Sequence, residues 1–262
     1  MKLFVFDVDD TLVDRDKILR SSTIRSLNKC LTNGDAIAIA SGRPFIGINQ
    51  YLSQLVPGLK FAIGANGAAV YDQGGKLLDF HGIPFKDFRE FYASHQGIRR
   101  FGGEIYAYAL NEVAYFIFGK AIVLEDQLNH VATRDLMVNP LRDEDMLLKF
   151  MTVLAPENSN RLHVSQHEKK KYHVMRSDPS FLEFTSPDVD KATGVEYLRR
   201  LLNISKREVF CFGDQGNDLR MIASFRGVAM GNAVPACKKV AEWVTLDVKN
   251  DGVSYALEKI IG

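Results

Sequence analysis

Two acidic clusters close apolar runs at distant points of the chain, and their residue types suit metal-assisted chemistry on an anion. Asp7-Val-Asp-Asp-Thr11 follows the run Lys2-Leu-Phe-Val-Phe6, and Gly213-Asp-Gln-Gly-Asn-Asp218 follows Val209-Phe-Cys-Phe212. Alternate residues of an extended backbone leave the same face, so Asp7 and Asp9 can share one side of a strand end while Val8 packs the other way. Such a pair can divide labour between a nucleophile and a proton donor and acceptor. Asp214, Asn217 and Asp218 lie in a loop whose glycines, Gly213 and Gly216, allow a tight path back over the strand end. Magnesium takes hard oxygen ligands, usually one or two carboxylates with waters and phosphate. Asp7 and Asp214 with a backbone carbonyl between them would meet that need. A solvated turn or a helix N-cap uses the same residue types, so it is the second cluster that favours one composite site.

A phosphoryl group needs hydrogen-bond donors and positive charge. Ser41 follows the strand-like run Ala36–Ala40 and offers a hydroxyl, and Gly42 leaves its N–H open near a helix start, where anions are favoured. Lys191 opens a later helix-like stretch and could neutralise non-bridging oxygens. Each has an ordinary alternative: Ser41 and Gly42 as a helix cap, Lys191 as a surface charge. Arg43 and Asn66 are loop residues near strand ends that could reach the leaving group or only brace their loops.

These residues must be held by a scaffold. Before residue 84 and after residue 187 strand and helix signals alternate: a helix near Ser22–Thr32, the strand Ala36–Ala40, a helix at Phe45–Leu55, the strand Phe61–Ile63 and a hairpin turning at Gln73-Gly-Gly-Lys76. The rhythm returns from Asp190, through the strand Val209–Phe212, to a final helix at Val253–Ile260. Between Pro84 and Pro187 the pattern is α+β. Glu104–Leu110 and Val113–Phe118 form a ribbon, Met146–Leu154 is helix-like, and Arg161–Ser165, Tyr172–Arg176 and Phe181–Thr185 read as antiparallel strands. The expected fold class is therefore α/β, a doubly wound, mostly parallel sheet built from residues 1–83 and 188–262, with an α+β domain inserted at 84–187.

With 46% apolar and 25% charged residues and a formal net charge of +1, the chain has the balance of an ordinary globular protein and no polyanion-binding surface, so no nucleic-acid partner is expected. The three cysteines, Cys30, Cys211 and Cys237, are far apart and form no CxxC pair, which argues against disulfides and cysteine zinc sites. No stretch approaches the roughly 18 apolar residues of a membrane span, and no leader pattern precedes the first strand, so a cytoplasmic location is the expectation; a self-closing two-domain plan makes a monomer the expected state.

The chain resembles the haloacid dehalogenase-like superfamily. Its four motifs occur in order as Asp7-Val-Asp-Asp-Thr11, Ser41-Gly-Arg43, Lys191 and Gly213-Asp-Gln-Gly-Asn-Asp218. Gly64-Ala-Asn-Gly-Ala68, Ala229-Met-Gly-Asn-Ala233 and Asn250-Asp-Gly-Val253 point to its Cof-type sugar-phosphate phosphatase branch, in which a Rossmann-like core carries an α/β cap between the second and third motifs. The resemblance implies that Asp7 attacks phosphorus and becomes an aspartyl-phosphate, while Asp9 protonates the leaving alcohol and then activates water. It implies magnesium held by Asp7, the Asp9 carbonyl and Asp214 with Asp218 close by or behind. Ser41 and Lys191 would hold the phosphoryl oxygens, and Asn217 would support the loop or the phosphate. The residue after Asp9 is often Gly in such enzymes and is Asp10 here, expected to face a turn.

The expected function is a magnesium-dependent phosphatase acting on a small phosphorylated metabolite, a sugar or sugar-acid phosphate. A phosphomannomutase-like phosphotransferase and a non-catalytic binding protein on the same scaffold are the alternatives. Asp143-Glu-Asp145 reads as a helix N-terminus, and His167-Glu-Lys-Lys-Lys171 as a charged hairpin tip whose lysines could overhang the site. The histidines have no metal-binding spacing, and the cap aromatics read as core.

Overall fold

A computed structural model describes residues 1–262, the side chains of Ser177 and Asp178 excepted. In chain order its strands are β1 Leu3–Phe6, β2 Ala36–Ala40, β3 Lys60–Gly64, β4 Ala69–Asp72, β5 Leu77–Phe80, β6 Ile83–Pro84, β7 Glu104–Tyr108 and β8 Glu112–Tyr115. They continue as β9 Ala132–Asp135, β10 Met146–Leu147, β11 Lys149–Val153, β12 His173–Asp178, β13 Phe181–Thr185, β14 Val209–Gly213, β15 Arg226–Ala229 and β16 Trp243–Val244. The helices are α1 Ser21–Thr32, α2 Phe45–Leu52, α3 Phe85–Ser94, α4 Lys120–Asn129, α5 Gln166–Lys171, α6 Lys191–Leu201, α7 Leu219–Ser224, α8 Pro235–Val240 and α9 Gly252–Ile261. No helix is long and apolar enough to cross a membrane.

The core sheet has eight strands in the order β16-β15-β14-β1-β2-β3-β4-β5, parallel except for the hairpin strands β4 and β5 at one edge. β1 and β14 lie side by side at its centre, each flanked by parallel neighbours, and every residue of both is buried. That is why both read as unbroken apolar runs: a strand covered on both faces has no solvent side on which to alternate. Phe4 and Phe6 stack on Phe210 and Phe212 under α1, α2 and α9, while Leu3 and Val5 pack with Val209, Cys211 and the α6 residues Val195 and Leu198 on the other face.

The second sheet, β12-β13-β11-β7-β8-β9, is antiparallel except where β9 runs beside β8. Its outer face packs against α3 around Phe88, Phe91, Phe150 and Phe184, so most cap aromatics are core. The short ribbon β6–β10 lies where the chain leaves the core sheet.

Four expectations fail within the cap. Met146–Leu154 is not a helix but β10 and β11, and β11 pairs with both β7 and β13. Leu147, Phe150, Met151 and Leu154 carry helical spacing, yet all four are buried, Phe150 and Met151 between strands on two sides; an apolar run of this length fits either structure until its neighbours decide. Arg161–Ser165 is not a strand, since Pro156–Arg161 forms a 3-10 helix and the residues after it pair with no strand. His167–Lys171 is not a hairpin tip but part of α5, whose start is fixed by a reciprocal bond between Ser165 and Glu168. Lys171 there pairs with Asp87, and Asp143 and Asp145 pair with Arg89 and Arg142 in a turn, not at a helix start.

α6 begins with a capping box. The Asp190 carboxylate accepts the Thr193 N–H at 3.0 Å and also takes the Arg220 guanidinium at 2.8 Å. Replacing Asp190 by Ala should therefore lower unfolding free energy by about 1–2 kcal/mol, read as a lower urea midpoint at constant slope. An unchanged midpoint would show that the helix start is held by other contacts.

Candidate active site

In a parallel sheet all carboxyl ends open on one edge, and four of them converge here. Asp7 follows β1, Ser41 follows β2, Ala65 and Asn66 follow β3, and Asp214 follows β14. The loops are tied to one another through the backbone. Asp7 N–H donates to the Phe212 carbonyl at 3.0 Å, Ser41 carbonyl accepts from Asn66 N–H at 2.9 Å, and Arg43 carbonyl accepts from Ala65 N–H at 3.0 Å. Asn66 has a left-handed φ of 55°, and Gly67 follows at 102°, where a Cβ would run into the Asp190 carbonyl. Glycine is thus required where this loop meets the start of α6.

At the centre lies the Lys191 ammonium, wholly buried, donating to Asp7 Oδ1 at 2.5 Å and Asp218 Oδ1 at 2.6 Å. Asp218 Oδ2 accepts the N–H groups of Asp214 and Gln215 at 2.9 and 3.0 Å, so this carboxylate shapes its own loop as well as holding Lys191. Gly213 permits it: a Cβ there would lie 2.5 Å from the Asp218 Cβ. Asp214 receives the Thr11 hydroxyl on Oδ1 at 3.2 Å, while its Oδ2 is buried and accepts no hydrogen bond.

A buried, unpartnered carboxylate oxygen is costly unless something absent from the protein satisfies it. Asp7, Asp214 and Asp218 each offer an oxygen within 4.8 Å of the others, and among the described residues they are the only such acidic, His or Cys group. The residues therefore fit a hard divalent cation. Electrostatics agree. Burial pushes Asp7 well above its ordinary range despite Lys191, with Asp218, Asp214 and Asp9 adding repulsion. Burial, with Asp218 and Asp10, pushes Asp214 up to about 7. Burial alone would pull Lys191 down, but Asp218 and Asp7 outweigh it and the ammonium stays charged.

Asp9 is different. It is half-exposed and gripped by two cations, Arg43 through Nε and Nη2 at 3.0 and 2.8 Å and Lys17 at 2.6 Å. Burial opposes ionisation, but these bonds outweigh it and hold the carboxyl below its usual value. Asp10 has a left-handed φ of 61° and faces solvent at a turn, its N–H donating to Val13 and its carbonyl accepting from Asn232. That backbone conformation accounts for the glycine often seen here, and aspartate tolerates it better than most side chains.

Ser41, Gly42, Arg43 and Asn217 line a cavity of about 770 Å³ with Asp7 and Asp9. Ser41 is buried, its hydroxyl oxygen 3.3 Å from the Arg43 N–H, and the described contacts include none to the Gly42 N–H. Asn66 is fully buried and lies behind that wall, accepting from Asn217 Nδ2 at 3.1 Å. Lys191, Asp214 and Asp218 lie beneath the cavity floor. All the sequence-derived residues thus gather at one edge, in a wall, a floor and a supporting layer.

The cap supplies the roof, through residues that sequence reasoning passed over. Lys149 on β11 and Glu183 on β13 are buried, paired at 2.6 Å, and reach into the core: Lys149 donates to the Gly42 carbonyl at 2.7 Å, and Glu183 accepts from Asn66 Nδ2 at 2.8 Å. Glu125 on α4 takes the hydroxyls of Tyr106 and Tyr108 and the Asn129 amide. Arg43 reaches the Leu128 carbonyl and Asn129 Oδ1. A signal did exist: Lys149 and Glu183 are lone charges inside otherwise apolar strand runs, Leu147–Val153 and Phe181–Thr185, a placement that demands a partner. The lysines of α5 do not line this cavity.

Known proteins share this construction. A family model described as haloacid dehalogenase-like hydrolase matches residues 4–257. A haloacid dehalogenase-like hydrolase from Bacteroides thetaiotaomicron is similar in structure, with a TM-score of 0.85 at 27% identity, over 99% of each chain. The 5-amino-6-(5-phospho-D-ribitylamino)uracil phosphatase YitU of Bacillus subtilis is 24% identical over 98% of this chain and 96% of its own. The HMP-PP phosphatase of Yersinia enterocolitica is 25% identical over 91% of this chain and 86% of its own. The chain therefore belongs to the haloacid dehalogenase-like hydrolases, with a Rossmann-like core and a cap, and is an enzyme of their phosphatase class.

Proposed function

We propose that the protein hydrolyses small phosphomonoesters, sugar or sugar-acid phosphates, with magnesium and through an aspartyl-phosphate on Asp7. The observation that carries this reading is the convergence of Asp7, Lys191 and the orphaned Asp214 oxygen beneath a roofed cavity that Asp7 itself lines. Asp7, Asp214 and the Asp9 carbonyl would hold the cation, with Asp218 behind them. When bound, magnesium supplies positive charge to the phosphoryl oxygens and offsets the carboxylates around it. Lys191 holds Asp7 in place through Oδ1 and contributes its own charge. The Ser41 hydroxyl and Gly42 N–H, beside Asp7 in the cavity wall, orient the phosphoryl oxygens.

Asp7 attacks phosphorus, and the leaving alcohol takes a proton from Asp9. Asp9 rests as a carboxylate between Arg43 and Lys17, so the acid half-reaction requires it to carry a proton with at least one cation released. Lys17 is the more exposed of the two and the one free to move. The resting carboxylate already suits the second half-reaction, in which Asp9 draws a proton from the water that attacks the phosphorylated Asp7. The cap of residues 84–187 keeps bulk water out and admits only small leaving groups, in keeping with two relatives named for metabolite phosphates. The substrate is a small soluble molecule, with no nucleic acid or membrane involved, and the working unit is a cytoplasmic monomer.

A panel of metabolite phosphates, assayed for inorganic phosphate with and without magnesium, is expected to yield magnesium-dependent release from some sugar phosphates. No release from any member would sink the proposal. Asp7→Asn should lower kcat at least about a thousandfold (about 4 kcal/mol in the barrier) while the thermal midpoint stays within a few degrees; normal turnover would exclude the covalent route.

The raised carboxyl groups give a second test, on the metal site alone. Because burial lifts Asp214 from 3.8 to about 7, the metal-free fold binds a proton there that the unfolded chain does not. That stabilisation is complete below the unfolded value and is lost as pH rises through about 7. A divalent cation competes for the same oxygens, so the rise in Tm on replacing EDTA with magnesium should grow from about pH 5 to about pH 8. Asp214→Asn should abolish most of that rise. A shift as large as that of the unaltered protein would place the cation elsewhere.

A further inference from the structure

Glu183 is buried to 3% exposure, and its two oxygens have different fates. Oε2 accepts both cationic Lys149 Nζ at 2.6 Å and Asn66 Nδ2 at 2.8 Å. Oε1 accepts nothing among the described residues, yet it is not among the sealed, unpartnered atoms, because Glu183 lines the main cavity. This oxygen sits 3.6 Å from where a Cβ on Gly42 would be, next to the residues that hold the phosphoryl group in the proposed reaction. Tyr108, Met151 and Phe181 line the same cavity, as do the cations Lys17, Arg43, Lys149 and Arg176.

From this geometry we infer that Glu183 Oε1 determines specificity: it accepts a hydrogen bond from a neutral hydroxyl close to the ester carbon of the leaving group, and it rejects a carboxylate there. The inference rests on the phosphatase reading and narrows it to polyol and sugar phosphates, excluding acids whose carboxylate adjoins the ester. Carboxylate oxygens only accept, so an unfilled one at a substrate wall is satisfied by a donor and repels an anion. Lys149 and Asn66 hold Glu183 through Oε2 and leave Oε1 as the oxygen without a donor, and the Gly42 carbonyl fixes Lys149 in turn. Arg176, which also lines the cavity, donates to the Pro179 carbonyl, and no contact joins it to Glu183 among the described residues.

Three compounds of similar size separate the terms: glycerol 1-phosphate, n-propyl phosphate, which lacks the hydroxyls, and phosphoglycolate, which carries a carboxylate. The unaltered enzyme with magnesium should show kcat/KM at least about tenfold higher for glycerol 1-phosphate than for either of the others. Equal values would overturn the assignment. Glu183→Gln gives an independent reading, because Lys149 and Asn66 are both donors and fix the amide oxygen at the Oε2 position. The amide nitrogen must then take the Oε1 position and present N–H to the cavity, turning an acceptor into a donor. The ratio of kcat/KM for glycerol 1-phosphate over phosphoglycolate should fall at least about tenfold; a ratio within twofold of the original overturns the assignment. If the variant fails to fold, the three-compound comparison on the unaltered enzyme decides alone. Failure of all three compounds and of p-nitrophenyl phosphate to release phosphate would instead overturn the phosphatase reading, and this inference with it.

Discussion

One buried ammonium organises the molecule's functional end. Lys191 lies between Asp7 and Asp218, with Asp214 within a few ångströms, so three carboxylates and one cation share a buried space that only Asp7 opens to the cavity. If all four groups are ionised, the cluster carries two uncompensated negative charges. Such an excess cannot persist in a low-dielectric interior; it is relieved by protons or by a cation of matching charge. The upward shifts of Asp7 and Asp214 are the proton solution, and the unpartnered Asp214 oxygen is the opening for the other. The same imbalance that destabilises the metal-free site would give a divalent ion its affinity.

The fold exists to make that crowding possible. Parallel pairing of β1 with β14 brings residues 7 and 214 to one edge, and the capping box at Asp190 brings Lys191 in from the opposite layer. Hydrogen bonds to Asp218 curl the Gly213–Asp218 loop back over the strand. None of these contacts is strong alone. Their geometry is rigid because each backbone involved is anchored in the packed core beneath, where Phe4, Phe6, Phe210 and Phe212 stack across the two central strands.

Where the sequence was legible, one local pattern had only one outcome. An unbroken apolar run ending in polar loop residues is hard to place except in a covered parallel strand, and β1, β2 and β14 appear where it puts them. Asp7, Asp9, Ser41, Asp214 and Asp218 were reached in this way, and Lys191 by its order relative to the other motifs. The cap was less legible because its pairing is non-local. β11 is a strand only by virtue of β7 and β13, one before it and one after it, and its own spacing fits a helix equally well. Lys149 and Glu183 escaped notice for the same reason: 34 residues separate them, and only the register that sets Met151 opposite Glu183 brings the ammonium within reach.

That register ties selection of the leaving group to the chemistry. A buried ion pair such as Lys149–Glu183 is a poor source of stability, since desolvation consumes most of its attraction, and an apolar pair would serve the cap core as well. What an apolar pair could not do is bond the Gly42 carbonyl and the Asn66 amide, and through Asn66 the Asn217 side chain. Arg43 does the reverse from the core side, reaching from Asp9 to the end of α4. The loops that carry Gly42, Arg43 and Asn66 are thus each held partly from the cap, so the wall they form is braced from both domains. A leaving group that keeps the cap from seating would then lose positioning of the phosphoryl group as well as its own contacts, so discrimination would fall on turnover as much as on binding.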